Sequence, residues 1–252
     1  MLTMICDKLR ELRLEVQQVG QTLNVSQGAG LTAHKANIDP QPQAPRDPER
    51  WAAGYAHGVK CVLLEPVRSR ARQWSFVESA GSVLPTVEAT SFVDGVRDAG
   101  GEEPWYEPLP DDLVFAWTMR LDHGMRVVTQ RQFEDWGVSR DRVVAAARSL
   151  LFHQTREASW LSGDWTEDVR AIRVGDGHDA ARILVVEDVF YSDVDASWRF
   201  AFPEPDLLLA VDTPDSIHAL RAVARRRYEA APYPLSPSVW RMERGRPILE
   251  TS

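Results

Sequence analysis

A chain of 252 residues with 44% hydrophobic and 26% charged side chains has the composition of an ordinary globular protein and can bury a sizeable core. Its formal net charge of −8 disfavours non-specific binding to nucleic acid or anionic membrane. Two cysteines, Cys6 and Cys61, exclude a disulfide framework and a cysteine-rich zinc site, so a reduced cytosolic setting is expected.

Only Lys8, Lys35 and Lys60 among the 29 basic residues are lysine, a bias that reads as a G+C-rich bacterial genome and not as a site preference. The N-terminal charges follow the apolar residues, unlike the order of a signal peptide, and no apolar run approaches the roughly 18 residues of a membrane span. A soluble, cytoplasmic protein is expected.

Taken in order, Met1 to Val19 predicts an amphipathic helix, with Ile5, Leu9, Leu12 and Val16 on one stripe and Gly20 as its stop. GAGLTA at 28–33 fits a loose dinucleotide loop, but Pro40, Pro42, Pro45 and Pro48 leave no room for the following helix. A turn and a proline-rich loop explain it, and no cofactor is expected. Pro48 opens a helix that closes before Pro66. His57 on it reads as satisfied or solvent-facing, since no second ligand is expected at i+4. VLPTVEATSFVDGVRDAGG predicts a helix ended by Gly100 and Gly101.

EEPWYEPLPDD is a candidate boundary between an N-terminal half, 1–103, and a C-terminal half, 104–252, although one continuous core is equally compatible. LVFAWTMRL and MRVVT flank a short turn and predict a β-hairpin. Thr129 and Gln132 have capping-box spacing before one helix, and Ser139 caps a second with Val143, Val144, Ala147, Leu150 and Leu151 on its apolar face. His153, near the end of that helix, suits its dipole when protonated.

The stretch from Val169 to Val211 holds the greatest apolar density and is expected to supply central core elements. VRAIRV reads as a strand and GDGHD as a turn. Asp179 is expected to cap a helix through AARILVVEDVFY, with a buried strand from Ile183 to Val186 as the rival. WRFAF and DLLLAV follow as strands, interrupted by Pro203 and Pro205. Thr213 and Pro214 open a last helix, and VWRME and PILE suggest a closing hairpin. The class is therefore α+β: a mixed sheet with helices packed on it and a C-terminal β-hairpin.

Three of these pieces, QFEDWGVSRDRVVAAARSLL, GDGHDAARILVV and FAFPEPDLLLAV, together resemble the YtpQ-like family of bacterial proteins. The positions that carry the resemblance are Trp136, Ala147, Asp179, Ala180, Pro203 and Asp206, within roughly residues 111–212. Ala181 stands where the family tends to have serine, and Pro205 where it tends to have a basic residue. The resemblance implies a compact α+β domain of bacterial origin and carries no established activity with it.

The best chemical cluster is Asp176, His178 and Asp179, with Glu187 and Asp188 nearby. Hard metals need several oxygen ligands, and paired carboxylates can share acid and base work. Aspartates at a turn also serve structure by accepting backbone N–H bonds. Asp193 and Asp195 form a DxD that keeps a loop solvated. No nucleophile elbow, phosphate loop or HExxH occurs. Arg221, Arg225, Arg226 and Arg227 share one helix and read as a solvated face. Trp105, Trp160 and Trp165 fall in loops, where aromatics favour binding surfaces. The expected function is protein binding, as an adaptor or immunity-type inhibitor of a basic partner protein, with no nucleic-acid or membrane partner. The alternative is a metal-assisted hydrolase built on the GDGHD acids.

Overall fold

Ile5 and Leu9, one helical turn apart and fully buried, seat α1 (Leu2–Glu11) on the chain's first core. The helix stops well short of Val19. Glu15–Val19 forms β1 instead, pairing antiparallel with β2 (Thr22–Ser26), which pairs in turn with β3 (His34–Asn37). Val16 stands opposite Val25, and the buried Leu23 and Val25 supply the apolar surface that draws this segment into a sheet. The computed structural model describes all residues except 1, 13, 20–21, 27–33, 38–46, 65–73, 122–123, 157, 159–160, 163–167, 191–193 and 251–252. Gly20 and GAGLTA therefore lie outside the described residues.

α2 (Pro48–Leu64) begins and ends as its prolines predict. Asp47 completes its start, because Oδ1 accepts from the Glu49 and Arg50 amides at 3.1 and 3.0 Å. α3 (Phe76–Ser79) opens on a reciprocal capping box between Ser75 and Glu78. The following VLPTVEA is not helix but β4 (Val83–Ala89), and α4 is confined to Ser91–Asp98. All seven β4 residues are buried, so the strand lacks the alternation that would have announced it. Pro85 is tolerated because β4 is the end strand of its sheet.

α2 and α4 cross at unusually close range. A Cβ at Gly58 would lie 2.2 Å from the Phe92 carbonyl oxygen, and one at Gly95 would lie 2.0 Å from that of Tyr55. Only glycine permits this approach.

Strands β5 (Tyr106–Leu109), β6 (Leu113–Leu121) and β7 (Gly124–Val127) complete the second sheet. β6 pairs with β4 on one side and with β5 and β7, end to end, on the other. The proline- and acid-rich segment 102–112 therefore runs inside a sheet that joins strands from both halves. Its three-residue turn, Pro110 to Asp112, uses Asp111 and Asp112 at φ 62° and 53°, the left-handed conformation that aspartate tolerates better than most residues. The β6–β7 hairpin agrees with its prediction. α5 (Gln130–Asp135) and α6 (Arg140–Thr155) follow, capped by Thr129 and Ser139 as expected. The capping box at Thr129 is not reciprocal: Gln132 Nε2 points to the Met119 sulfur.

The third sheet has the order β13-β12-β10-β11-β9-β8, built from β8 (Leu161–Ser162), β9 (Arg170–Ile172), β10 (Arg199–Glu204), β11 (Leu207–Val211), β12 (Trp240–Glu243) and β13 (Arg246–Leu249). Between β9 and β10, the expected long helix is a 3-10 turn, Ala180–Leu184, followed by one α-turn, α7 (Val186–Val189). β10 continues through Pro203 by shifting register between Ala201 and Glu204. A 3-10 turn at Pro214–Ser216 leads into α8 (Ile217–Ala230), which packs on β10 and β11.

The protein is thus α+β, with helices packed on sheets and β12–β13 as the C-terminal hairpin. Pairing between described strands is antiparallel throughout, so the mixture is of helices with strands and not of strand directions. Ile183 and Leu208 are fully buried, which places the Val169–Val211 stretch at the centre of its core.

Candidate functional site

The GDGHD turn folds around an arginine. Arg182, six residues beyond Asp176 and one 3-10 turn beyond Asp179, is withdrawn entirely from solvent. Its Nη1 donates to Asp176 Oδ1 and to Asp179 Oδ1, and its Nη2 to Asp176 Oδ2, each at 2.8 Å. The second oxygen of Asp179 accepts from the Val174 and Gly175 amides, both at 2.8 Å. Asp179 therefore does not cap the helical turn after it, as expected; it fastens the strand end before it. Gly175 and Gly177, both at positive φ, let the turn curl tightly enough for this.

These bonds set the charges. Burial pushes the Asp176 carboxyl up, but the Arg182 guanidinium outweighs burial and holds it below its usual range. Burial prevails at Asp179 and raises its pKa despite two backbone donors and Arg182. His178 is 1% exposed, and burial lowers its pKa. Its Nδ1 lies 2.9 Å from the Pro85 carbonyl oxygen, so the neutral ring carries its proton there.

Asp176, His178 and Asp179 are brought together, but their oxygens point at an arginine and at backbone amides. Among the described residues, no group of three or more histidine, cysteine and carboxylate side chains is placed to hold a metal ion.

Trp105 is also displaced from its expected role. It is 5% exposed, stacked on Trp117 at 4.8 Å and on Phe133 at 4.3 Å, so its ring fills a core and is not offered to a partner. Trp160 and Trp165 lie outside the described residues.

The structure assembles a different site, a cleft of about 180 Å³ between α2, β4 and the β10–β11 connection. α2 contributes His57, β4 contributes Thr86 and Glu88, the end of β10 contributes Glu204, and the turn after it contributes Pro205 and Asp206; Gly177 and Tyr233 close the wall. Asp206 is held in place by the Gly177 amide, which donates to Oδ1 at 2.7 Å. Thr86 Oγ1 donates to Glu88 Oε1 at 3.1 Å, and the other Glu88 oxygen faces His57 Nδ1 at 3.1 Å.

His57 is bonded to Glu88, and Cys61 stands one helical turn further along α2. Burial works against a charged ring. The Glu88 carboxylate and the Cys61 sulfur outweigh it and raise the His57 pKa well above its ordinary value of 6.5. Tyr233 lies beside the imidazole with its ring tilted by 41°, ring centres 5.3 Å apart, and burial pushes its phenol up to about 12, aided by Cys61, Glu11 and Glu88.

Sequence reasoning missed this cleft. One signal was present: Cys61 stands at i+4 from His57, the position read as lacking a ligand. Glu88 carried none, because it lay in a segment read as helix and meets His57 only when β4 packs beside α2.

Comparison of the chain with protein-family models, with curated proteins and with solved structures finds no match in any of the three. Among the described residues no helix is long and apolar enough to cross a membrane.

Proposed function

We propose that this chain acts by binding another protein, as a bacterial adaptor or immunity-type inhibitor, and that its cleft receives a basic side chain of that partner. The observation that carries the reading is the convergence of Glu88, Glu204 and Asp206 beside the Tyr233 ring in a cleft of about 180 Å³. That space equals roughly six water molecules at ~30 Å³ each, well below the roughly 300–1,000 Å³ of drug-sized pockets. It suits one side chain. Three carboxylates against the single His57 imidazolium leave a negative balance, and an aromatic wall adds attraction for a cation. The net charge of −8 steers a basic partner toward such a surface. The metal-assisted hydrolase reading has no comparable support, since Arg182 occupies the space between its acids.

Fluorescence anisotropy with a labelled oligo-arginine peptide tests the assignment at low and high salt. Glu204→Lys should weaken binding about tenfold. Asp141→Lys makes the same change in net charge on exposed α6, distant in the chain from the cleft residues, and should alter affinity by no more than about twofold. Equal losses in both variants would reduce the cleft to one part of a generally acidic surface and overturn the assignment.

A further inference from the structure

The arginine run of α8 does not form one solvated face. Leu220, Val223 and Ala224 are buried against the third sheet, while Arg221, Arg225, Tyr228 and Glu229 make a second stripe at helical spacing. A groove of about 700 Å³ runs between that stripe and the closing hairpin. Its apolar side is formed by Pro237 and Val239 at the entry to β12 and by Leu249 at the end of β13. The Glu250 amide donates to the Val239 carbonyl oxygen at 2.9 Å and ties these two segments together. Unlike the acidic cleft, with which it shares no lining residue, this groove has the size of a small-molecule site, roughly 300–1,000 Å³.

The polar groups along it are spent, with one exception. Glu229 accepts from Arg225 Nε at 3.0 Å. Glu250 is engaged by Arg199 and Arg241, whose Nε atoms lie 3.1 and 3.4 Å from Oε2. The Tyr228 hydroxyl donates to Asp47, and Ser238 Oγ to Asp111 at 3.2 Å. Arg221 is partly buried in the groove wall and has no carboxylate partner among the described residues. Its guanidinium is the charge that the groove itself does not answer.

We propose that the groove between α8 and the β12–β13 hairpin binds a small organic acid, with its single carboxylate on Arg221 and its apolar body along Pro237, Val239 and Leu249. A guanidinium offers a carboxylate two parallel N–H donors and sheds its own hydration easily, so a partly buried arginine suits this pairing. A dianion such as a phosphate monoester fits less well, because Glu229 and Glu250 line the same groove and repel the second charge. The site is separate from the cleft, so the inference stands independently of whether a protein partner binds there.

The test is isothermal titration of the full chain with octanoate, and with 1-octanol and acetate as the two halves of that ligand. Octanoate should bind saturably at one site, and octanol and acetate should each bind at least about tenfold more weakly. Arg221→Gln should weaken octanoate binding about tenfold. Arg226→Gln makes the same change in net charge on an exposed position of α8 outside the groove and should alter affinity by no more than about twofold. Denaturation midpoints establish that both variants remain folded. No saturable binding of octanoate would overturn the proposal. So would octanol binding as well as octanoate, which would leave an apolar surface without a carboxylate site, or equal losses in the two arginine variants, which would leave only the general charge of the helix.

Discussion

Arg182 meets Asp176 edge-on, with Nη1 2.8 Å from Oδ1 and Nη2 2.8 Å from Oδ2, while its side chain has no exposure to solvent. A fork-to-fork pair in so dry a place is strong only while both members are present. Removing one leaves a buried charge without compensation. Arg182→Met should therefore cost about 3–5 kcal/mol, measured by urea denaturation. Adding Asp176→Asn and Asp179→Asn should restore much of the loss, because no carboxylate would then remain stranded. A single variant within about 1 kcal/mol of the parent would show that the knot is not what holds this turn.

The His57–Glu88 pair makes stability depend on pH in a stated direction. The folded-state pKa of His57 lies above its ordinary value of 6.5, raised by Glu88 and Cys61 against the cost of burial. A raised pKa means that the folded protein holds the proton more tightly than the unfolded chain does. The contribution is complete below the unfolded value and is lost as pH rises through the folded one. The stability gap between the parent and Glu88→Gln should accordingly be widest in mildly acidic solution and should narrow as the solution becomes alkaline. Denaturation curves across that range check it; a constant gap would mean that the pair does not titrate as described.

Trp105 offers a direct contrast between a core role and a binding role. Its ring lies parallel to Phe133, 4° apart, and is stacked on Trp117. Trp105→Ala should cost about 3–5 kcal/mol, as large-to-small aromatic substitutions in cores do. Equilibrium unfolding followed by circular dichroism measures it. An unchanged midpoint would return this tryptophan to the surface.

What the sequence determined by itself was largely what neighbouring residues determine. Pro48 marked the start of α2, Thr129 and Ser139 marked their helices through side chains that bond three residues ahead, and the β6–β7 and β12–β13 hairpins followed from alternation around a short turn. The α+β class came from the same local signals. β4 was illegible because burial on every side erased its alternation, so VLPTVEA read as helix. β1 was illegible because Val16 fits a helical stripe as well as a strand, and only pairing with Val25 decides between them. The acids of GDGHD were visible, but whether they faced a metal or an arginine depended on the 3-10 turn that swings Arg182 back between them. Trp105 read as a loop residue because nothing nearby in sequence indicates Trp117 and Phe133 closing over it. The cleft was decided by tertiary structure almost entirely. His57, Glu88, Glu204 and Tyr233 belong to four segments far apart in the chain, and no local periodicity can express a 3.1 Å contact between a helix and a strand that meet only when two sheets and a helix pack together.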